Sequence, residues 1–151
     1  MSKTILIGLV VLSLSSLAWA EELSWRTDIK PIIDARCAGC HGDGAPEYSD
    51  WMLLKNRDEV PPRMDSYPYL MSYVVWPATG ALMRRLDDGT TTQKAGNMYQ
   101  HLGDDDQQRA GNLKTIKAWL GEGAWNLNRW KERKGVPGIT KTQLEAIKAK
   151  Y

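Results

Sequence analysis

The sequence predicts an all-α fold with long loops. Apolar residues recur at helical spacing in several segments. Glycine, proline and an Asp-Gly step break the chain between those segments. No stretch alternates apolar and polar residues with the period of two that a half-buried strand requires. There is no internal repeat and no low-complexity tract, and 151 residues give room for one domain. Phenylalanine is absent, whereas tryptophan numbers seven and tyrosine six. Such a core must be closed by other large groups, and one of them need not be an amino acid.

Taken in order, Ile29, Ile32, Ile33 and Cys37 share one helical face over residues 25–41, with Asp28 as the expected cap and Pro31 tolerated in the first turn. Gly42, Gly44 and Pro46 end that helix. A polar, aromatic-rich stretch follows from Tyr48 to Pro62. Asp65 to Trp76 is apolar through Leu70, Met71, Tyr73 and Val74, with Pro68 at its start and Pro77 closing it. Thr79 is the expected N-cap of a short helix carrying Leu82, Met83 and Leu86, stopped by Asp88-Gly89. Thr90 to Asn97 reads as loop. Asp104 to Asp106 place negative charge where a helix dipole favours it. The helix they open carries Leu113, Ile116, Lys117, Trp119 and Leu120 and stops at Gly121. Thr140 and Gln143 form a capping-box pattern for a last helix with Leu144 and Ile147. Trp25, Trp76 and Trp119 fall at apolar positions and are expected in the core, while Trp51, Trp125 and Trp130 suit loop cover.

Residues 1–20 read as a secretory signal, with Lys3 as the positive n-region, Ile5 to Leu14 as the apolar stretch and Ala18-Trp19-Ala20 as the cleavage pattern. A spanning helix needs about 20 apolar residues, and Ser13, Ser15 and Ser16 interrupt this run. The mature chain is therefore expected to begin at Glu21 and to work outside the cytoplasm. The whole sequence carries a net charge of +2, which removal of Lys3 reduces by one. Neither value suits a nucleic-acid binder or a polybasic membrane patch.

Both cysteines fall in one motif, Cys37-Ala38-Gly39-Cys40-His41. Two cysteines three apart cannot form a disulfide framework. The string is the attachment signature of c-type haem. One helical turn puts Cys37 and Cys40 on the same side, where they can form thioethers with the two vinyl groups, and aims the His41 imidazole at the iron as proximal ligand. A thioredoxin-like dithiol has the same spacing but calls for a βαβ setting, and an amphipathic helix precedes the motif here. A zinc site would want a second cluster, and the only other histidine is His101.

Around this motif the chain resembles the single-haem, class I-like c-type cytochromes of the bacterial periplasm. Ile29-Lys30-Pro31-Ile32-Ile33 ahead of Arg36-Cys37 and His41-Gly42 is similar to their first haem helix. Ala81 to Leu86, then Asn97-Met98, then Ala118-Trp119-Leu120 with Gly123-Ala124, is similar to a short helix, a Met-bearing loop and a final Trp-bearing helix. The resemblance implies a small cytochrome c-like helical fold around one covalent haem c, a haem domain over residues 21–125 and a helical C-terminal extension over 126–151.

The sixth iron position has several candidates. Met52 follows His41 too closely to cross to the other face, and Met71 and Met83 sit in apolar helical patterns. Met64 lies in a loop that can reach. Met98 follows Gly96-Asn97 and lies where a class I-like fold delivers its distal sulfur, so it is the expected ligand, with His101 as rival. Arg36, Arg84 and Arg85 are candidate partners of the haem propionates, and the Pro46 carbonyl is a candidate acceptor for the proximal imidazole N–H. Lys114, Lys117, Lys131, Lys134, Lys148 and Lys150 make the C-terminal third basic, a solvated face or one that steers an acidic redox partner.

The resemblance implies electron transfer between redox partner proteins, among them a membrane-bound or multi-subunit oxidoreductase to which residues 126–151 offer a docking surface. No Ser/His/Asp set and no paired carboxylates suggest an enzyme. The alternative is a haem module that binds NO, CO or O2 as sensor or scavenger, which needs an open or easily displaced sixth position.

Overall fold

A computed structural model describes residues 22–90, 92–125 and 141–151. The expected signal segment, the Thr140 cap, Trp130, Lys131, Lys134 and most of the 126–151 extension lie outside the described residues. Those residues are helical, with no strand among them, and no described helix is long and apolar enough to cross a membrane.

The first helix begins earlier than the sequence suggests. Ser24, not Asp28, is the N-cap: its side chain accepts from the Thr27 N–H at 3.3 Å. Asp28 reaches back to accept the Ser24 N–H at 2.8 Å, so the two residues satisfy one another's end of the turn. A π-helical turn, Trp25–Ile29, runs into α1, Lys30–Arg36, with Pro31 in its first turn. A second short turn, α2 (Ala38–His41), follows after a break at Cys37. Next come α3 (Tyr48–Leu53), α4 (Tyr67–Met71), α5 (Ala81–Leu86) and a 3-10 turn, Tyr99–Leu102. The longest described helix is α6 (Asp106–Leu120), followed by α7 (Glu122–Trp125) and α8 (Lys141–Glu145).

The core is built where the Trp25–Ile29 turn and α1 pack against α6 and the 3-10 turn. Ile29 and Ile33 on one side meet Leu113, Ile116, Trp119 and Leu120 on the other, all buried. Each such side chain contributes about 1.5–3 kcal/mol by leaving water. Trp25, Tyr67 and Trp119 stack edge-on or tilted at centroid distances of 6.1–6.3 Å. Leu70, Val74, Leu82, Met83 and Leu86 bring α4 and α5 into the same cluster. Trp25 and Trp119 are therefore core, as the apolar pattern indicates. Trp76 is not: it is 74% exposed. Leu70 sets the inward direction, Tyr73 and Val74 follow at the three- and four-residue spacing, and Trp76, six residues on, faces away.

Two further expectations change. Thr79 does not cap α5; Gly80 does, at φ 74°, a left-handed conformation that a side chain resists. The Thr79 hydroxyl turns back to donate to the Val75 carbonyl. The acidic start of α6, by contrast, works as charge and chemistry suggest, because the Asp105 carboxylate accepts the Gln108 N–H at 2.7 Å. Asp105→Ala should cost about 1 kcal/mol and lower Tm by about 4 °C; thermal unfolding followed by circular dichroism checks this.

The last residues return to the core. Lys148 and Ala149 donate their N–H groups to Leu120 and Trp119 carbonyls, each at 2.9 Å. The Lys150 carbonyl accepts from both the Trp25 N–H and the Trp119 indole, each at 2.8 Å. Tyr67 Oη donates to the Ala149 carbonyl, and Ala149 is buried.

Candidate haem site

A cavity of about 560 Å³ opens between α1–α2, the loop over residues 57–64, α4–α5 and the 3-10 turn. That volume falls within the roughly 300–1,000 Å³ of ligand sites. Cys37, Cys40 and His41 line it, and so do Met64, Met98 and His101; Met52, Met71 and Met83 do not. Met83 is fully buried in the core and Met52 is exposed.

The Cys37–His41 turn is wound by local hydrogen bonds. Cys40 and His41 donate their N–H groups to the Cys37 carbonyl at 3.1 and 2.8 Å, while the Cys37 N–H reaches back to Ile33 at 2.8 Å. Burial, with Cys40 nearby as the smaller cause, pushes the Cys37 thiol up to about 11. A neutral thioether carries no such penalty, which suits this cysteine to covalent attachment rather than to thiolate chemistry.

His41 is oriented by a backbone carbonyl from the loop over residues 57–64. Its Nδ1 lies 2.6 Å from the Pro62 carbonyl oxygen. A carbonyl only accepts, so Nδ1 carries the proton and Nε2 keeps its lone pair for a metal. The acceptor is Pro62, not Pro46. The Pro46 carbonyl is taken by the Arg63 N–H at 2.9 Å, and this bond draws the Pro61-Pro62 segment across the imidazole. Trp51 fixes the same loop from its other end, donating Nε1 to the Val60 and Arg57 carbonyls at 2.7 and 3.0 Å. Met64 belongs to this side too, since its N–H donates to the His41 carbonyl at 2.8 Å.

Met98 reaches the cavity from another direction. Its N–H donates to the Arg85 carbonyl at 2.9 Å, at the end of α5, and the Arg85 guanidinium donates to Asn97 Oδ1 at 2.9 Å. Gly96 donates to the Asp87 carbonyl at 2.7 Å and lies so close to α5 that a Cβ would sit 2.2 Å from the Arg85 carbonyl oxygen. Only glycine lets the loop lie flat on that helix end. His101 stands on the exposed side of the 3-10 turn, its Nε2 3.2 Å from the Gln100 amide. Leu102, one residue on, is buried, and its carbonyl accepts from Asn112 of α6 at 2.7 Å.

The arginines are partly committed within the chain. Arg36 makes a two-pronged bond to Asp104, at 2.7 and 3.0 Å, and a third to Gln108. Its guanidinium holds the Asp104 carboxyl below the usual carboxylate range. Lys117 lies 3.6 Å from Asp88 and over the Trp125 ring, and Lys150 pairs with Glu22. Those two lysines of the basic third are thus tied to their own chain.

Sequence reasoning gave Trp51 a loop-covering role, which its bonds to Arg57 and Val60 fit, and did not mark Pro62 or Tyr73 for the site. All three line the cavity, and Tyr73 is 3% exposed with a hydroxyl that has no hydrogen-bond partner. Apolar walls, two cysteines on one turn, an imidazole with Nε2 as its lone-pair nitrogen, and a buried donor without an acceptor fit a haem.

A family model for the PccH cytochromes c matches residues 24–151. Among solved structures, the monohaem cytochrome PccH from Geobacter sulfurreducens is similar at 47% identity and a TM-score of 0.72, over 86% of this chain and 99% of that one. A search of curated proteins finds no match.

Proposed function

From the premise that the chain belongs to the PccH cytochrome c family, we propose that its haem is joined to Cys37 and Cys40, ligated by His41 and Met98, and passes single electrons between protein partners in the periplasm. Family membership makes the protein a haem-based electron carrier with one covalently bound haem c and an all-α fold. The iron supplies the one-electron couple. The observation that carries the ligand reading is the His41–Pro62 bond at 2.6 Å. It sets the tautomer a metal ligand needs and makes the imidazole a better donor.

Met98 is favoured over the other cavity-lining candidates by its surroundings. The Met64 N–H is bonded to the His41 carbonyl, which supports placing Met64 on the His41 side of the cavity. His101 is turned toward solvent and the Gln100 amide. A methionine carried on a loop bonded to the Arg85 and Asp87 carbonyls has its backbone held as the iron changes charge, which favours small reorganisation. A Met/His pair also raises the potential. The periplasmic assignment rests on the signal pattern of residues 1–20.

The test is an acid–acetone extraction followed by optical and magnetic spectra of the holoprotein in both oxidation states. The colour should stay with the polypeptide. The spectra should be low-spin throughout, with a weak sulfur-to-iron charge-transfer band when oxidised. A high-spin iron that takes up CO at once would instead support a gas-binding module.

A further inference from the structure

We propose that the Tyr73 hydroxyl donates a hydrogen bond to a propionate carboxylate of the haem, holding that edge of the macrocycle and raising the reduction potential. The proposal rests on the reading that the haem occupies the cavity through Cys37 and Cys40.

Two buried side-chain polar atoms among the described residues have no partner, Ser66 Oγ and Tyr73 Oη, and Tyr73 is the one whose residue lines the cavity. An unpaired buried hydroxyl is costly, so its partner is sought in what fills the space. The residue is held through its backbone and its ring. The Tyr73 carbonyl accepts the Leu82 N–H at 2.9 Å, and Tyr48 packs edge-on at a centroid distance of 5.7 Å. Burial, aided by Tyr48, pushes the phenol well above the ordinary tyrosine range, so Oη keeps its proton and acts as a donor.

Three neighbouring donors on the cavity wall have partners within the chain. Trp51 is bonded to the Arg57 and Val60 carbonyls, Arg36 to Asp104 and Gln108, and Arg85 to Asn97. The strong acceptors a haem brings are its two propionates, on the edge opposite the vinyl groups that cysteines bind. A bond to an ionised carboxylate is roughly twice as strong as one between neutral groups. The competing acceptor, a methionine thioether, is weak. A donor on the carboxylate draws its negative charge away from the iron and so favours the reduced state.

Tyr73→Phe removes the hydroxyl and keeps the ring. In the holoprotein the propionate bending mode in the resonance Raman spectrum should shift and the reduction potential should fall, while the sulfur-to-iron band stays in place. An unshifted propionate mode overturns the proposal. So does a moved sulfur-to-iron band with the propionate mode fixed, which would make the axial thioether the acceptor. The wild-type holoprotein gives a readout that needs no variant: in D2O the propionate mode should shift through the exchanged hydroxyl, and an unmoved mode overturns the proposal. Failure of the underlying haem assignment is distinct, since it appears as colour lost from the wild-type polypeptide on acid–acetone extraction.

Discussion

Replacing both Cys37 and Cys40 by alanine should abolish holoprotein and leave the chain largely unfolded. The cavity of about 560 Å³ lies between α1, α4, α5 and the 3-10 turn, so a haem bound there would pack against all of them. A single buried aromatic side chain covers about 150–250 Å², and a porphyrin exceeds two of them. At about 25 cal/mol per Å² its burial contributes about 10 kcal/mol. Net stability for a domain is about 5–15 kcal/mol in all. Most described helices here have seven residues or fewer, too short to persist without tertiary contacts. Far-ultraviolet circular dichroism of the haem-free double variant should show little helix. Native-like helicity would show that the protein core alone suffices. A single cysteine change should leave a weaker product with one thioether.

Met98→Ala should remove the sulfur-to-iron band, open the iron to CO and lower the potential by the order of 100 mV, a fraction of the roughly 0.8 V that axial ligation spans. Met98→His should keep a low-spin haem at lower potential, because imidazole stabilises the oxidised iron better than a thioether does. His101→Ala should leave spectrum and potential nearly unchanged. The loop that presents Met98 lies flat against the Arg84 and Arg85 carbonyls at Gly96, so the backbone that carries Met98 is fixed by packing on α5. If His101→Ala turns the haem high-spin while Met98→Ala does nothing, the ligands are two histidines, and electron transfer survives with a different iron site.

The sequence makes some elements plain and hides others for physical reasons. α6 can be read directly, because a carboxylate cap and four apolar residues at helical spacing are local signals. The Cys37–His41 motif is local as well. Ser24 is less legible as the cap of the Trp25–Ile29 turn, since Asp28 carries the stronger signal and assists the same turn from inside. The choice between Pro46 and Pro62 is not local at all. It depends on how a loop of some twenty residues closes over His41, and that is decided by the Arg63–Pro46 bond and by Trp51 holding Val60. Trp76 ends an apolar run and by pattern reads as buried, whereas the turn after Val74 carries it outward. Tyr73 offered no mark of its own within that run; its unpaired hydroxyl becomes visible only with the cavity in view.

The closure at Lys150 ties three separate stretches of chain together at one atom. Its carbonyl joins the turn at Trp25 to the indole of α6. Both tryptophans are buried, so a chain cut short of Lys150 leaves two buried donors without their acceptor. Each such donor costs about 1–3 kcal/mol, a large share of the about 5–15 kcal/mol that holds a domain together.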